Sequence, residues 1–136
     1  GRSASYFAGF ANDELYFIRS ECNARLGTTK EALDDMNKLL ENRVRKGTFE
    51  KLVVSDTKDL LNLILNERRK EMLFRGVRWS DLKRLNVDPD YAIDLYREIN
   101  VNGKIKRYEL PANDSRYLYP IPAEVIMQSN IPQNPR

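Results

Sequence analysis

Asn66-Glu67-Arg68-Arg69-Lys70-Glu71-Met72-Leu73-Phe74-Arg75-Gly76-Val77-Arg78-Trp79-Ser80-Asp81-Leu82-Lys83-Arg84-Leu85 organises the reading of everything around it. Its first half continues a helical stripe made by Leu61, Ile64, Leu65 and Met72, at the three- and four-residue spacing of one helix face. Arg68, Arg69, Lys70, Arg75, Arg78, Lys83 and Arg84 stand against Glu67, Glu71 and Asp81, and helical spacing puts many of these within reach of one another as a solvated or paired face. Gly76 breaks the helix, and Trp79, Leu82 and Leu85 begin a second, shorter one. Arg68 falls inside the apolar stripe, so its guanidinium points partly inward and requires a carboxylate partner. Glu21, beside the apolar face of the first helix, is the expected partner. Glu21→Ala is then expected to cost about 3 kcal/mol or more.

Upstream, the sequence predicts a helical hairpin. Asn12 is a suitable N-cap for a first helix over Asp13 to Leu26, with acids in its first turn and Gly27 as its stop. Leu15, Ile18, Cys22 and Leu26 give it an apolar stripe, in which the lone Cys22 acts as a small buried hydrophobe. Thr28-Thr29-Lys30-Glu31 predicts a capping box. A second helix follows, carrying Ala32, Leu33, Met36, Leu39, Leu40 and Val44, and ends near Lys46-Gly47. Two helices joined by so short a turn lie antiparallel, as in the pair that makes one tetratricopeptide-like unit. Thr48 to Ser55 reads as a loop or short strand. A third helix begins near Asp56 and uses Leu60, Leu61, Ile64, Leu65, Met72 and Leu73 to reach the core. Residues 1 to 11, with Tyr6, Phe7 and Phe10, read as an extended lead-in.

Downstream the pattern changes. Asp88-Pro89-Asp90 is turn chemistry. Val101-Asn102-Gly103-Lys104 predicts a β-hairpin, because Asn-Gly supplies the two positive φ angles of a type I′ turn. Ile99, Val101, Ile105 and Tyr108 give the flanks β-propensity. Tyr119-Pro120-Ile121-Pro122 opens a proline-fixed tail that ends in Gln133-Asn134-Pro135-Arg136, a tail expected to dock onto something. The fold class expected is mainly α: a tetratricopeptide-like helical hairpin plus further helices, a small β-hairpin and an extended C-terminal tail, forming one domain over residues 1–136.

Composition excludes several chemistries. Lys plus Arg is 23 against 20 acidic residues, a net charge of +3, and the two signs interleave, so nucleic acid is not the expected partner. Histidine is absent, which removes Ser-His-Asp and Cys-His machinery and histidine-based zinc sites. No phosphate loop or calcium loop is present, and no cofactor is expected. No apolar run is long enough to span a bilayer. Glu67 and Glu71 share a helix face at a spacing compatible with a glycosidase pair, but neighbouring arginines make ion pairing the expected role. Trp79 could stack on a sugar ring, yet its spacing to Leu82 and Leu85 predicts packing instead. Tyr91, Tyr96, Tyr108, Tyr117 and Tyr119 suit either a carbohydrate or a partner surface.

The segments match, in order, a pattern that resembles the SusD/RagB family. Asn12 to Gly27 is similar to its Ala-Asp-x-x-Leu…Ala-Glu-Ala…Leu-Gly helix, with Glu21 at the acid and Ser20 and Cys22 in place of alanines. Glu31-Ala32-Leu33 with Asn37 and Arg43 resembles the following helix. Glu67, Arg68, Arg69, Gly76, Arg78, Trp79 and Asp81 carry the most specific match, and Pro120, Pro122, Gln133, Asn134 and Pro135 resemble the family's C-terminus. Ser80 and Arg75 depart from the usual aromatic and acid. The resemblance implies structural roles for these residues and assigns none of them to a ligand. It also implies that the chain corresponds to the C-terminal portion of a longer protein, with the signal segment and lipid anchor outside it. The implied role is non-catalytic: capture of a nutrient, an oligosaccharide above all, at the bacterial outer-membrane surface for a TonB-dependent, SusC-like transporter. A helical protein–protein interaction module without sugar binding is the competing expectation.

Overall fold

The computed structural model describes Gly9 and residues 11–136, so most of the aromatic lead-in, including Tyr6, Phe7 and Phe10, lies outside the described residues. In order, the elements are α1 (Asn12–Arg25), α2 (Thr29–Glu41), α3 (Thr57–Glu71), α4 (Arg78–Leu85), β1 (Leu95–Val101), β2 (Lys104–Leu110), a 3-10 turn at Ser115–Tyr117 and α5 (Ala123–Ser129). The predicted class holds: mainly helical, with a small antiparallel sheet. The chain divides into two compact units, residues 1–78 and 79–136.

In the first unit α1 and α2 run antiparallel, since Ser20 meets Ala32 while Arg19 meets Asp35. Phe17, Ala24, Ala32, Met36, Leu60 and Ile64 are fully buried. The inward face of α1 is therefore not the predicted one. Phe17, Ser20, Glu21 and Ala24 face the core, whereas Leu15, Ile18 and Leu26 are 57%, 46% and 80% exposed and Cys22 is exposed. Small residues decide the choice. With Ser20 and Ala24 one and two turns beyond Phe17, the backbones approach closely enough for the Ser20 hydroxyl to donate to the Ala32 carbonyl at 3.0 Å.

Helix ends bring further corrections. Ala11, not Asn12, stands at the N-cap of α1 and makes no side-chain cap bond. The predicted capping box does not form, because the Thr28 hydroxyl donates to the Asn23 carbonyl at 3.0 Å. Helix α2 stops at Glu41, leaving Val44 exposed. Helix α3 starts as expected, with the Asp56 carboxylate accepting from the Asp59 N–H at 2.9 Å. Leu73 lies past its end and is exposed. The loop over residues 48–55 forms no strand; the Asn37 amide brackets Leu52, accepting from its N–H at 2.8 Å and donating to its carbonyl at 3.4 Å.

The second unit carries the predicted hairpin. Val101 pairs with Lys104, and Asn102 and Gly103 take φ of 53° and 80°, as a type I′ turn demands. The Asn100 side chain accepts from the Gly103 N–H at 2.9 Å. Leu82, Leu85 and Tyr117 make the unit's small apolar core. The tail contains α5, started by Pro122 and stopped by Asn130 in the left-handed conformation.

Candidate functional site

The densest polar arrangement in the first unit joins the start of α1 to the end of α3. Arg68 is buried, and its Nη2 donates to Glu14 Oε1 at 3.3 Å. Arg75 lies 3.8 Å from both Asp13 and Glu14 and donates to the Gly9 carbonyl at 2.8 Å. Arg43 bonds Glu71 at 2.7 Å and lies 3.7 Å from Asp13; that bond to Glu71 raises the Arg43 pKa further. Acids in the first turn of α1 and cations around the last turn of α3 also suit both helix dipoles. Glu21, seven residues beyond Glu14 on α1, is buried and accepts from Arg25 Nε at 3.0 Å. Glu67 takes Lys70 at 2.5 Å. Each candidate glycosidase carboxylate is thus committed to its own cation, the arrangement of an ion-pair network. Arg69 is exposed. Gly76 adopts φ of 76° just after Phe74 at 62°, a left-handed pair that turns the chain out of α3.

Along the outer face of α1, Leu15, Tyr16, Ile18 and Cys22 line an open apolar trough of about 600 Å³. Tyr16 is flanked by Arg19 and Lys38 at 5.6 and 5.7 Å from its ring centre, and Arg19 forks onto Asp35.

The second unit collects the remaining motif residues. Trp79 is half-buried and stacks on Tyr117 at 4.8 Å between ring centres, while Tyr119 lies at 6.1 Å. Its indole N–H donates to the Tyr117 carbonyl at 3.2 Å. Trp79 thus packs against the two tyrosine rings. Asp81 is buried and accepts from Arg84 at 2.8 Å; Arg78, at the start of the same helix, is half-buried. Pro120, Pro122 and Pro135 are exposed. The structure brings the proline segment and the C-terminal amides together: Gln133 accepts from the Ile121 N–H at 2.8 Å and donates to its carbonyl at 3.0 Å. Asn134 donates to the Tyr119 carbonyl at 2.7 Å.

Asn86, Asn113 and Ser115 went unread in the sequence. Asn86 is 2% exposed; its Oδ1 accepts from the Ile93 N–H at 3.1 Å, and its carbonyl accepts from Asn113 Nδ2 at 2.7 Å. Asn86 Nδ2 and the Tyr117 hydroxyl are buried without a hydrogen-bond partner among the described residues. The only available signal for Asn86 was its place between Leu85 and the Asp88-Pro89 turn. Asp114 accepts from both the Arg116 side chain and its backbone N–H, which lowers its pKa to about 2. Among the described residues no group of acids and cysteine has the geometry to hold a metal ion, and no helix is long and apolar enough to cross a membrane.

Comparison with known proteins converges. The model of the SusD family matches residues 13–136. Two proteins of Formosa agariphila are similar: SusD-like protein P2, 32% identical over 90% of this chain and 24% of its own, and SusD-like protein P38, 35% identical over 57% of this chain and 16% of its own. The crystal structure of a SusD-like protein from Bacteroides fragilis superposes with a TM-score of 0.57 at 26% identity, covering 90% of this chain and 24% of that one. The chain spans about a quarter or less of the length of these relatives.

Proposed function

The chain belongs to the SusD family, and on that premise we propose that it serves non-catalytic capture of a nutrient, an oligosaccharide above all, at the outer-membrane surface. The captured ligand passes to a TonB-dependent, SusC-type transporter. In this reading the chain works as the C-terminal portion of a longer, lipid-anchored polypeptide.

One observation carries the reading: the family match runs unbroken through both units. Within it, many of the matching residues build the fold. Arg68 and Glu21 lie buried in the first unit, Trp79 and Asp81 anchor the second, and Gln133 and Asn134 hold the tail. The exposed apolar side chains on α1 support a longer parent, since Leu15, Ile18 and Cys22 form a stripe suited to another helix.

Two measurements test this. Sequencing the coding region upstream of residue 1 and the adjacent gene should reveal a signal segment ending in a lipidation cysteine beside a gene for a large β-barrel transporter. Calorimetry of the full-length polypeptide against an oligosaccharide panel should show saturable binding without hydrolysis. A methionine start just upstream, with no transporter neighbour and no sugar binding, would instead leave a helical interaction module.

A further inference from the structure

We propose that one face of the β1–β2 hairpin, carrying Arg97, Lys104, Lys106 and Tyr108, binds an anionic oligosaccharide whose sugar rings bear carboxylates. That the ligand is a sugar rests on the glycan-capture reading above; its charge and the place it binds rest on the hairpin.

Side chains alternate between the two faces of a strand, and directly paired residues share a face. The register sets Arg97 opposite Tyr108, Ile99 opposite Lys106 and Val101 opposite Lys104. One face therefore holds three cations and no carboxylate. The other holds Glu98 opposite Arg107 and Tyr96 opposite Glu109, two carboxylates around one cation. There Arg107 bonds Glu109 at 2.8 Å and lies 3.7 Å from Glu98. Among the described residues no carboxylate pairs with Arg97, Lys104 or Lys106, and all three are exposed. Lys104 and Lys106 stand about 6.8 Å apart along β2. Stability of the hairpin does not ask for this, since unlike charges across a sheet face attract and like charges repel. A surface that keeps unpaired cations together is complementary to an anion.

The same face indicates the kind of anion. The Lys106 ammonium lies 4.9 Å from the Tyr108 ring centre, and Arg97 is the cross-strand partner of Tyr108. A half-exposed aromatic ring is thus set among the cations. A uronate offers both complements on one pyranose: carbon-bound hydrogens for the aromatic ring, and a carboxylate for a guanidinium or ammonium. A run of acidic side chains offers the charge without the flat apolar face, and a neutral sugar leaves the cations unanswered.

The test is calorimetry of the full-length polypeptide with heptagalacturonate, with maltoheptaose as its neutral counterpart and with poly-glutamate as a polyanion without rings. The double variant Lys104→Gln, Lys106→Gln strips the proposed face, whereas Arg107→Gln removes a cation from the opposite one; all three positions are exposed. We expect heptagalacturonate to bind with Kd on the order of 0.1–1 mM, more weakly as salt shortens the Debye length from about 30 Å to about 8 Å. The double variant should weaken it about five-fold, Tyr108→Leu should weaken it too, and Arg107→Gln should change it little. Equal loss per charge removed from either face would overturn the site. Poly-glutamate binding as tightly as heptagalacturonate would overturn the sugar as occupant. Maltoheptaose binding without heptagalacturonate binding would overturn the anionic class and leave glycan capture standing. No binding of any sugar would sink both readings.

Discussion

The two units are held together by different physics. Residues 1–78 close on fully buried Phe17, Met36, Leu60 and Ile64, drawn from three helices. Residues 79–136 bury only Leu82, Leu85 and Tyr117 among apolar side chains, while Tyr96, Ile105, Tyr119 and Met127 are largely exposed. An isolated two-stranded hairpin is marginal in water, and both faces of β1 and β2 are mostly solvated. Amide side chains take over in the second unit. Asn86 accepts from Ile93, Asn113 donates to Asn86, and Gln133 and Asn134 seize the Tyr119–Ile121 backbone. The prolines explain the last of these: Pro120 and Pro122 have no N–H, so Ile121 is the one donor in that triplet, and Gln133 takes it. Packing thus specifies the first unit, and many small directional bonds specify the second.

The largest effect should come from the packed unit. Ile64→Ala removes a fully buried side chain at the centre of α3 and should cost about 3 kcal/mol, read from the urea midpoint. A loss below about 1 kcal/mol would erase the contrast. Next comes the charge network. Glu14→Ala withdraws a carboxylate from buried Arg68 and should cost about 2 kcal/mol, less than for a fully buried pair because the Glu14 side chain keeps 15% exposure. Combining it with Arg68→Met should recover part of the loss; purely additive costs would show that the pair is not coupled.

Much of the first unit was legible from sequence because its rules are local: the Asp56 cap, the Gly76 break and the Leu60–Ile64 stripe all lie within a few residues of their partners. The inward face of α1 was not. Leu15, Ile18 and Cys22 look more apolar than Ser20, Glu21 and Ala24, yet closeness of helix approach, which hydropathy does not encode, selected the latter. The Arg68–Glu14 contact likewise joins residues 54 positions apart. In the second unit, Asn102-Gly103 announced the hairpin, whereas the bonds of Asn86 and Gln133 are to distant backbone, and no periodicity marks them.

Gln133→Ala sharpens the contrast from the other side. It deletes both bonds to Ile121, a loss of about 1–2 kcal/mol confined to the tail. Hydrogen exchange at the Ile121 N–H should accelerate while amides in α1 and α3 keep their protection. Equal acceleration in both would mean that the units do not differ as their cores indicate.

The smallest effect is a titration. Asp114 is held at about 2, below its ordinary 3.8, first by the Arg116 side-chain bond and then by the Arg116 backbone N–H. For a lowered carboxyl the sign is fixed: the contribution to stability is complete above the unfolded value and disappears as pH falls through about 2. Arg116→Ala removes the larger cause and keeps the backbone bond, so the Asp114 midpoint should rise part of the way toward 3.8. Carbon NMR of the Asp114 carboxyl measures it directly. Because the pair is solvent-exposed, added salt should weaken the wild-type shift and leave the variant nearly unchanged. A midpoint indifferent to Arg116→Ala would move the cause to the backbone alone, and the turn at Ser115–Tyr117 would then owe nothing to charge.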